Sequence, residues 1–282
     1  MKKKTILDIQ KLKHLKTAFA TLTAYDFPSA KIINELNIPI VLVGDSASMV
    51  VYGYKDTTLI QMNEMLLISK AVERGIDTAL LIGDMPFMSY QPSAELAVQN
   101  AGRFIKEGRV DAIKLEGGIE YVKQISAIIA SGIPVMGHIG LKPQSVLIES
   151  GYRVQGKTSE SALKIYQDAL ALESVGVFAL VLEGVPEELA QIITQKIKIP
   201  TIGIGAGKFC DGQIQVLHDV VGLLGADVPK HANTYINTQN MMIGAIKQYQ
   251  SEVENKHFPN NNHSTKMDVQ ELADLKNKIE NL

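Results

Sequence analysis

The stretch Val41-Leu42-Val43-Gly44-Asp45 decides the fold, because an unbroken apolar run leads there directly into a carboxylate. A run without polar alternation predicts a strand that is covered on both faces, as in a parallel sheet. Four further runs end on an ionisable residue in the same way: Leu80 to Asp84, Ala112 to Glu116, Pro134 to His138 and Ala179 to Glu183. Since parallel strands all point the same way, this recurrence predicts that the five ionisable residues meet at one rim.

Stretches with helical spacing separate these runs, and their ends carry helix-boundary residues. Ser93, Ser159 and Asp211 are predicted N-caps, because a side-chain oxygen there can accept a hydrogen bond from a free backbone N–H. An Ile-Pro pair also follows a helical stretch three times, with its proline at positions 39, 134 and 200. Proline cannot continue a helix but tolerates the first position of a strand, so the chain is built from a repeated βα unit.

Eight candidate strands follow from this pattern: Phe19 to Ala24, Ile40 to Gly44, Thr78 to Gly83, Ala112 to Glu116, Val135 to His138, Phe178 to Glu183, Thr201 to Ile204 and a weaker one near Val221 to Leu224. Eight parallel strands with helices between them, in about 250 residues, predict an α/β fold of the (β/α)8 TIM barrel type, whose active sites lie at the C-terminal strand ends. An open doubly wound sheet is the alternative, and it would gather ligand residues at one switch point.

Composition bounds the class of protein. The chain has 282 residues, 46% of them hydrophobic and 21% charged, so it can bury a large core as one domain. The net charge of −2 and the dispersed Lys and Arg argue against a nucleic-acid surface and predict small-molecule partners. We expect residues 1–258 to form a single catalytic domain with an N-terminal extension, and residues 259–282 to form a linker with a short helix.

The sequence also bears on where the protein resides. Cys210 is the single cysteine, which excludes a disulfide framework, and we expect it to be a half-buried thiol and not a nucleophile. Asp8 and Gln10 interrupt the apolar segment that a signal peptide would need after the basic start. No run approaches the ~20 apolar residues of a membrane span. These features predict a cytoplasmic protein.

Three acids at neighbouring strand ends form a candidate metal site. Asp45 and Asp84 each follow a glycine, and Glu116 ends the next strand along the chain. Two carboxylates that meet at a barrel mouth repel each other unless a cation lies between them, and an all-oxygen ligand set suits Mg²⁺ better than zinc. The alternative is that the acids cap helices or pair with arginine.

Lys114 and Ser46 are candidate substrate-binding residues. Lys114 lies two residues before Glu116 on one strand, so both side chains face the same way. A lysine inside a barrel needs a partner, which is either a substrate carboxylate or Glu116 itself. Ser46 can offer its hydroxyl to a carboxylate, or it can cap the next segment.

Glu183 and His138 are the candidate acid-base residues. Glu183 ends an apolar strand, where burial raises the pKa of a carboxylate and makes it a better base. The alternative is a structural carboxylate that accepts backbone hydrogen bonds. His138 lies between two glycines in M-G-H-I-G and can donate to a substrate or transfer a proton, but it can equally be a structural residue.

Two glycine-rich segments complete the candidate site. The I-G-I-G-A-G motif at 202–207 follows the seventh strand, where it can form an anion nest or allow close packing. Residues 140–157 are long for a connection between strand and helix, which predicts a lid. Within that segment we expect Gln144, Ser145 and the G-Y-R-V-Q-G stretch at 151–156 to close over the barrel mouth. The alternative is an irregular surface excursion.

Several unrelated motifs in sequence order resemble one enzyme family. They are T-A-Y-D at 23–26, V-G-D-S at 43–46, D-M-P-F-M at 84–88, K-L-E-G-G at 114–118, G-H-I-G-L-K-P-Q-S at 137–145, G-Y-R-V-Q-G at 151–156 and I-G-I-G-A-G at 202–207. Together they closely resemble ketopantoate hydroxymethyltransferase, over residues 6–258. One departure is Ala47-Ser48, where members of that family commonly carry Leu-Gly, so the loop backbone there is expected to differ.

The resemblance implies a barrel of the phosphoenolpyruvate mutase and isocitrate lyase group, Mg²⁺ dependence, a homo-oligomer that is typically a decamer, and the first committed step toward pantothenate and coenzyme A. The matching metal positions are Asp45, Asp84 and, through water, Glu116. The matching substrate-binding positions are Asp45, Ser46, Asp84 and Lys114. Glu183 matches the family's proton acceptor, and His138 matches an active-site histidine.

The implied reaction moves a hydroxymethyl group from 5,10-methylenetetrahydrofolate to 3-methyl-2-oxobutanoate, giving 2-dehydropantoate. In our hypothesis Mg²⁺ stabilises the enolate of the oxoacid, Lys114 and Ser46 hold its carboxylate, and Glu183 removes the C3 proton. Two alternatives stay open, namely a carbon-carbon lyase of the phosphoenolpyruvate mutase group and a non-catalytic barrel that binds an oxoacid.

Overall fold

The computed structural model describes residues 2–149, 151–225 and 228–282. The chain divides into two compact units, of which the first ends at Tyr235 and the second is Ile236–Leu282. The sequence predicts a boundary later, after residue 258, and that boundary stays a prediction.

Within the described residues, eight strands form one closed parallel barrel in chain order: β1 (Phe19–Thr23), β2 (Ile40–Val43), β3 (Leu80–Asp84), β4 (Ala112–Glu116), β5 (Val135–Gly140), β6 (Ala179–Glu183), β7 (Thr201–Ile204) and β8 (Gly212–Gln215). Each strand pairs with the next, and β8 closes the barrel on β1. The predicted (β/α)8 barrel is therefore confirmed, and the open doubly wound sheet is excluded.

The helices lie between the strands and after the last one: α1 (Ile6–His14), α2 (Phe27–Glu35), α3 (Ala47–Val50), α4 (Met62–Glu73), α5 (Ala94–Lys106), α6 (Val122–Ala130), α7 (Ser159–Ser174), α8 (Glu187–Lys196), α9 (Leu217–Val220), α10 (Thr238–Glu254) and α11 (Val269–Glu280). Short 3-10 turns lie at Thr57–Leu59, Ile119–Tyr121, Pro143–Ser145 and Asn261–His263. Among the helices described, none is long and apolar enough to cross a membrane.

Two apolar layers explain why the strands lack polar alternation. One set of strand residues, including Ile40, Leu80 and Met136, fills the barrel interior, and α1 adds Ile9 to the same cluster. The intervening residues of the strands, such as Leu81, pack outward against the helices. In β2 to β5 both faces are buried, so each large apolar side chain of these strands contributes about 1.5–3 kcal/mol to the core. Continuing the inward set to the strand ends puts Asp84, Glu116, His138 and Glu183 inside the mouth, whereas Asp45 lies two residues beyond the end of β2.

The eighth strand differs from the prediction. It is Gly212–Gln215, whereas Val221 to Leu224 lies after α9 and forms no strand. In β8 only Ile214 joins the interior cluster, while Gln213 and Gln215 are half-buried. A strand with two glutamines gives no apolar run, and its position is fixed by pairing with β1, where Ala20 is in register with Gln213.

The predicted N-caps have three different outcomes. Ser93 caps α5 and accepts a hydrogen bond from Leu96 N, as predicted. The cap of α7 is Thr158 and not Ser159, since the Thr158 hydroxyl accepts from Ser161 N. Asp211 caps no helix; its carboxylate accepts from Thr201 N at 2.9 Å and from Lys13 Nζ at 2.8 Å, which ties β7 to α1.

The second unit consists of α10, a short turn and α11. Aromatic contacts hold the turn region together, because the ring of Phe258 lies 5.6 Å from that of Tyr249 and 4.9 Å from that of His263. The short helix expected at the end of the chain is present as α11.

Candidate active site

The C-terminal strand ends bring the predicted ionisable residues together. Asp45, Asp84, Lys114, Glu116 and His138 are all buried there. The strand register aligns them, since Asp84 is opposite Lys114 and Glu116 is opposite His138. Glu183 ends β6 beside them with its side chain 19% exposed, so it is the member of the group closest to solvent.

Lys114 pairs with Asp84. Its Nζ lies 2.7 Å from Asp84 Oδ1 and 2.8 Å from Oδ2, and both side chains are almost fully buried. Of the two partners considered from the sequence, Glu116 is therefore not the one that Lys114 contacts. Burial acts to lower the pKa of Lys114, but the charges of Asp84, Asp45 and Glu116 outweigh it and hold that pKa above its ordinary value. Lys114 is a permanent cation at the centre of the site.

Asp45 lies directly against this pair. Its backbone N–H donates to Asp84 Oδ2 at 3.2 Å, and its own Oδ2 accepts from Gln144 Nε2 at 2.9 Å. Burial and then the negative charge of Asp84 raise the pKa of Asp45 to about 8. One buried lysine does not neutralise the buried acids, so the group as a whole favours an additional cation.

Only one of the two carboxylate oxygens of Glu116 accepts a hydrogen bond within the described residues. Its Oε2 accepts from the backbone N–H of Gln144 at 3.0 Å. Its Oε1 is buried and has no hydrogen-bond partner within the described residues. Burial, followed by the charge of Asp45, raises the pKa of Glu116 well above its ordinary value. An unpartnered buried carboxylate oxygen is costly, which indicates a ligand or water at this position.

His138 stands between two carboxylates. Its Nε2 lies 3.3 Å from Glu183 Oε2, and its Nδ1 lies 3.6 Å from Glu116 Oε1. Neither nitrogen makes a hydrogen bond of good geometry among the described residues. Burial, with the nearby charge of Lys114, lowers the pKa of His138, so the imidazole is neutral and can both accept and donate a proton.

Ser46 points at an aromatic partner and does not cap the following helix. It stands at the N-cap position of α3, but its side chain makes no capping bond. The hydroxyl of Ser46 lies 2.7 Å from the hydroxyl of Tyr25, whose pKa burial holds above its ordinary value. At the predicted departure Ala47-Ser48, residues Ala47–Val50 form one helical turn, and the Ser48 hydroxyl donates to Asp56 O at 2.5 Å.

Gln144 and Tyr90 are site residues whose roles the sequence does not reveal. Gln144 is 4% exposed and contacts Asp45 and Glu116, so it lies among the acids of the barrel mouth, and its part in closing the mouth stays a prediction. Tyr90 is buried with its hydroxyl 3.0 Å from Gln144 Oε1 and 2.9 Å from Glu116 O. The only local signal was the P-Q-S sequence after the histidine strand, which reads as an ordinary polar turn.

The rest of the long segment lies outside the buried site, and Ser150 falls outside the described residues. Leu147 and Ile148 are 78% and 85% exposed, and the Tyr152 hydroxyl lies 3.9 Å from Met49 Sδ. Closure of this segment over the mouth therefore stays a prediction.

Close packing accounts for one glycine of the I-G-I-G-A-G motif. Gly207 has a φ of +74°, and a Cβ built on it would lie 2.2 Å from the Cβ of Glu187. No side chain fits there, so the glycine is needed for packing, one of the two readings of the motif. Anion binding by these glycines stays a prediction.

Cys210 is buried more deeply than expected, at 7% exposure, and burial raises the pKa of its thiol. A thiol that resists ionisation is a poor nucleophile, which agrees with the structural role expected for it.

Asp45, Asp84 and Glu116 have features that argue for and against a metal site. Among the described residues, no group of three or more His, Cys, Asp and Glu side chains is arranged to hold an ion, and Lys114 contacts both oxygens of Asp84. The donors are nevertheless all oxygen, they are buried, and Glu116 Oε1 has no partner. This chemistry fits a hard cation such as Mg²⁺.

Comparison with known proteins agrees with the motifs. The family model described as ketopantoate hydroxymethyltransferase matches residues 3–261. A 3-methyl-2-oxobutanoate hydroxymethyltransferase from Dehalococcoides mccartyi is 50% identical over 272 residues, which is 96% of this chain and 98% of the relative. One from Clostridium beijerinckii is 48% identical over 273 residues, which is 97% of this chain and 99% of the relative.

Solved structures with the same fold are more distant in sequence. A phosphonopyruvate hydrolase in complex with oxalate and Mg²⁺ has a TM-score of 0.61 at 13% identity, covering 99% of this chain and 96% of that one. A 2,3-dimethylmalate lyase, a member of the PEP mutase/isocitrate lyase superfamily, has a TM-score of 0.58 at 14% identity, covering 98% and 94%. At this level of sequence identity these similarities show that the fold is shared, and nothing about activity.

Proposed function

Because the chain belongs to the ketopantoate hydroxymethyltransferase family, we propose that it transfers a hydroxymethyl group to 3-methyl-2-oxobutanoate. The main support for this proposal is the sequence identity of about 50%, along nearly the whole chain, to proteins named 3-methyl-2-oxobutanoate hydroxymethyltransferase. The one-carbon donor in this proposal is 5,10-methylenetetrahydrofolate, the products are 2-dehydropantoate and tetrahydrofolate, and the pathway is pantothenate biosynthesis.

The reaction sets three requirements for the site. The C3–H bond of the oxoacid breaks, and a bond forms from C3 to the one-carbon unit. That unit loses its two bonds to folate nitrogens, which take up protons to give tetrahydrofolate, and one water supplies the oxygen of the new hydroxymethyl group. The site therefore needs a base near C3, a way to stabilise the negative charge that develops on the oxoacid, and an anchor for its carboxylate.

The acid cluster supports binding of Mg²⁺. Asp45 and Asp84 would hold the ion directly, and Glu116 would act through water with its unpartnered Oε1. When bound, Mg²⁺ supplies a Lewis acid for the oxygens of the oxoacid. These three acids are otherwise an excess of buried negative charge, and burial already raises the pKa of Asp45 and Glu116.

Lys114 and Ser46 bind the carboxylate of the oxoacid in this proposal. Lys114 is held as a cation by its acidic neighbours, so its charge is available for a substrate anion. The hydroxyl of Ser46 is oriented by the hydroxyl of Tyr25 at 2.7 Å. Together the two residues fix which carbon of the oxoacid faces the base.

Glu183 takes the C3 proton and His138 assists it. Glu183 is the most exposed acid of the group, so a substrate in the mouth can reach it. The neutral imidazole of His138 is 3.3 Å from its carboxylate and can accept a hydrogen bond from Glu183 once it is protonated. The second nitrogen of His138 faces Glu116, which completes an acid–imidazole–acid arrangement across three strand ends.

Loss of deuterium from C3-deuterated 3-methyl-2-oxobutanoate, with Mg²⁺ and without folate, tests the assignment of the base. The wild type should exchange the label, and Glu183→Gln should lower the rate about 10²- to 10⁴-fold, the usual contribution of a general base. Glu188→Gln, an exposed glutamate at the start of α8, is the matched control and should exchange at the wild-type rate. Equal rates for wild type and Glu183→Gln would exclude Glu183 as the base.

A further inference from the structure

Gln144 makes an unusually complete set of contacts within the site. Its Nε2 donates to Asp45 Oδ2 and to Met85 O, both at 2.9 Å. Its Oε1 lies 3.0 Å from the Tyr90 hydroxyl and 3.1 Å from Gln91 Nε2. All four hydrogen-bonding positions of the amide are therefore occupied, in a side chain that is almost fully buried.

The orientation of this amide is determined by its surroundings. Met85 O can only accept a hydrogen bond, so the amide nitrogen of Gln144 must face it. If the amide were rotated by half a turn, its oxygen would face Met85 O and its nitrogen would face Gln91 Nε2, and both of these buried hydrogen bonds would be lost. Gln144 consequently has one stable arrangement.

The backbone N–H of Gln144 also binds a second acid, Glu116. Its N–H donates to Glu116 Oε2 at 3.0 Å, so this single residue holds one oxygen of Asp45 and one oxygen of Glu116. The other oxygen of Glu116 is then the unpartnered Oε1. Gln144 thus determines which oxygen of Glu116 is turned toward the centre of the site.

We propose that Gln144 is a positioning residue that orients Asp45 and Glu116 for a divalent cation. The Tyr90 hydroxyl fixes the Gln144 amide in turn, through its hydrogen bond to Oε1. This inference rests on the proposed function, because it presupposes the Mg²⁺ site. Residues that orient metal-binding carboxylates in this way typically change metal affinity 10- to 100-fold when they are replaced. In this proposal the Pro143–Ser145 turn supports the metal site.

Binding of Mn²⁺ alone, followed by the EPR signal of the free ion, tests the inference without any turnover. Gln144→Met keeps the length of the side chain and removes its hydrogen bonds, and it should raise the Kd for Mn²⁺ 10- to 100-fold. Tyr90→Phe removes one oxygen and should raise the Kd by a smaller factor. Gln124→Met is the control, since Gln124 donates to Gln91 O at 3.3 Å and contacts neither acid.

The remaining outcomes separate the inference from the proposed function. If Gln144→Met retains the wild-type circular dichroism and a Kd within twofold of wild type, the inference is wrong. If Gln144→Met does not fold, an unchanged Kd in folded Tyr90→Phe overturns it instead. If the wild type itself binds no Mn²⁺, the proposed metal site fails, and the inference fails with it. Recovery of the C3 exchange rate of Gln144→Met at saturating Mg²⁺ would further support a role in positioning.

Discussion

Asp84 and Lys114 stand opposite each other in the register of β3 and β4, and Lys114 Nζ lies within 2.8 Å of both carboxylate oxygens of Asp84. The side chains of Asp84 and Lys114 are 1% and 5% exposed, so bulk water cannot solvate either charge. Each is stable only because the other is present, and removing one leaves an uncompensated charge in the barrel.

Lys114→Met should therefore destabilise the protein by about 3–5 kcal/mol, because Asp84 is left buried and unpaired. The Asp84→Asn/Lys114→Met double variant should recover most of that loss, since it carries no buried charge at either position. Urea unfolding of the two single variants and the double variant measures the coupling. Losses that simply add in the double variant would show that the pair is not a stabilising unit.

His138→Gln should lower the rate of C3 deuterium exchange about 10²-fold or more, because the imidazole beside Glu183 is lost. Its Kd for Mn²⁺ should stay close to that of the wild type, since His138 is not assigned to the metal. His257→Gln, in the second unit and exposed, controls for histidine loss in general. Wild-type exchange in His138→Gln would return His138 to the structural role that the sequence left open.

Gly207→Ala should destabilise the barrel by about 1–3 kcal/mol, because the new Cβ meets Glu187 and the backbone has a positive φ. Gly102→Ala is the matched control in α5, where a Cβ would meet nothing within 4 Å. A helical Gly→Ala change should stabilise by about 0.5–1 kcal/mol. Thermal unfolding of both variants should thus show shifts of opposite sign, and a neutral Gly207→Ala would reject the packing explanation.

The protein should be a homo-oligomer. The second unit supports this expectation, because α10 has no buried residue and leaves Met241, Ile246 and Tyr249 about 60% exposed. Size-exclusion chromatography with light scattering should give a multiple of the 30.8 kDa chain mass, and the decamer expected from the family resemblance gives ten times that value. A mass of 30.8 kDa across the working concentration range would contradict the expectation.

The barrel could be predicted because β2 to β6 are buried on both faces, which makes their sequences largely apolar runs. Strand parity also correctly places Lys114 and Glu116 on one face, since side chains two residues apart point the same way. The partner of Lys114 could not be predicted in this way. It depends on the register between β3 and β4, which no local pattern specifies.

The missed features share a physical cause, namely that tertiary contacts and not local sequence define them. β8 has only one interior apolar side chain, so it is recognisable as a strand only through its pairing with β7 and β1. Gln144 lies in a polar turn that would ordinarily be exposed, and its burial arises because acids from two other strand ends need donors. The need of these acids for hydrogen-bond donors can be recognised only in the folded structure.

The most direct test of the account is product formation from 3-methyl-2-oxobutanoate, 5,10-methylenetetrahydrofolate and Mg²⁺ by the purified protein, followed by mass spectrometry. We expect 2-dehydropantoate and tetrahydrofolate to form in equal amounts, no product after chelation of Mg²⁺, and a rate at least about 10²-fold lower for Glu183→Gln. Consumption of the oxoacid without 2-dehydropantoate, or no turnover by a folded protein that binds Mg²⁺, would contradict the proposed transfer.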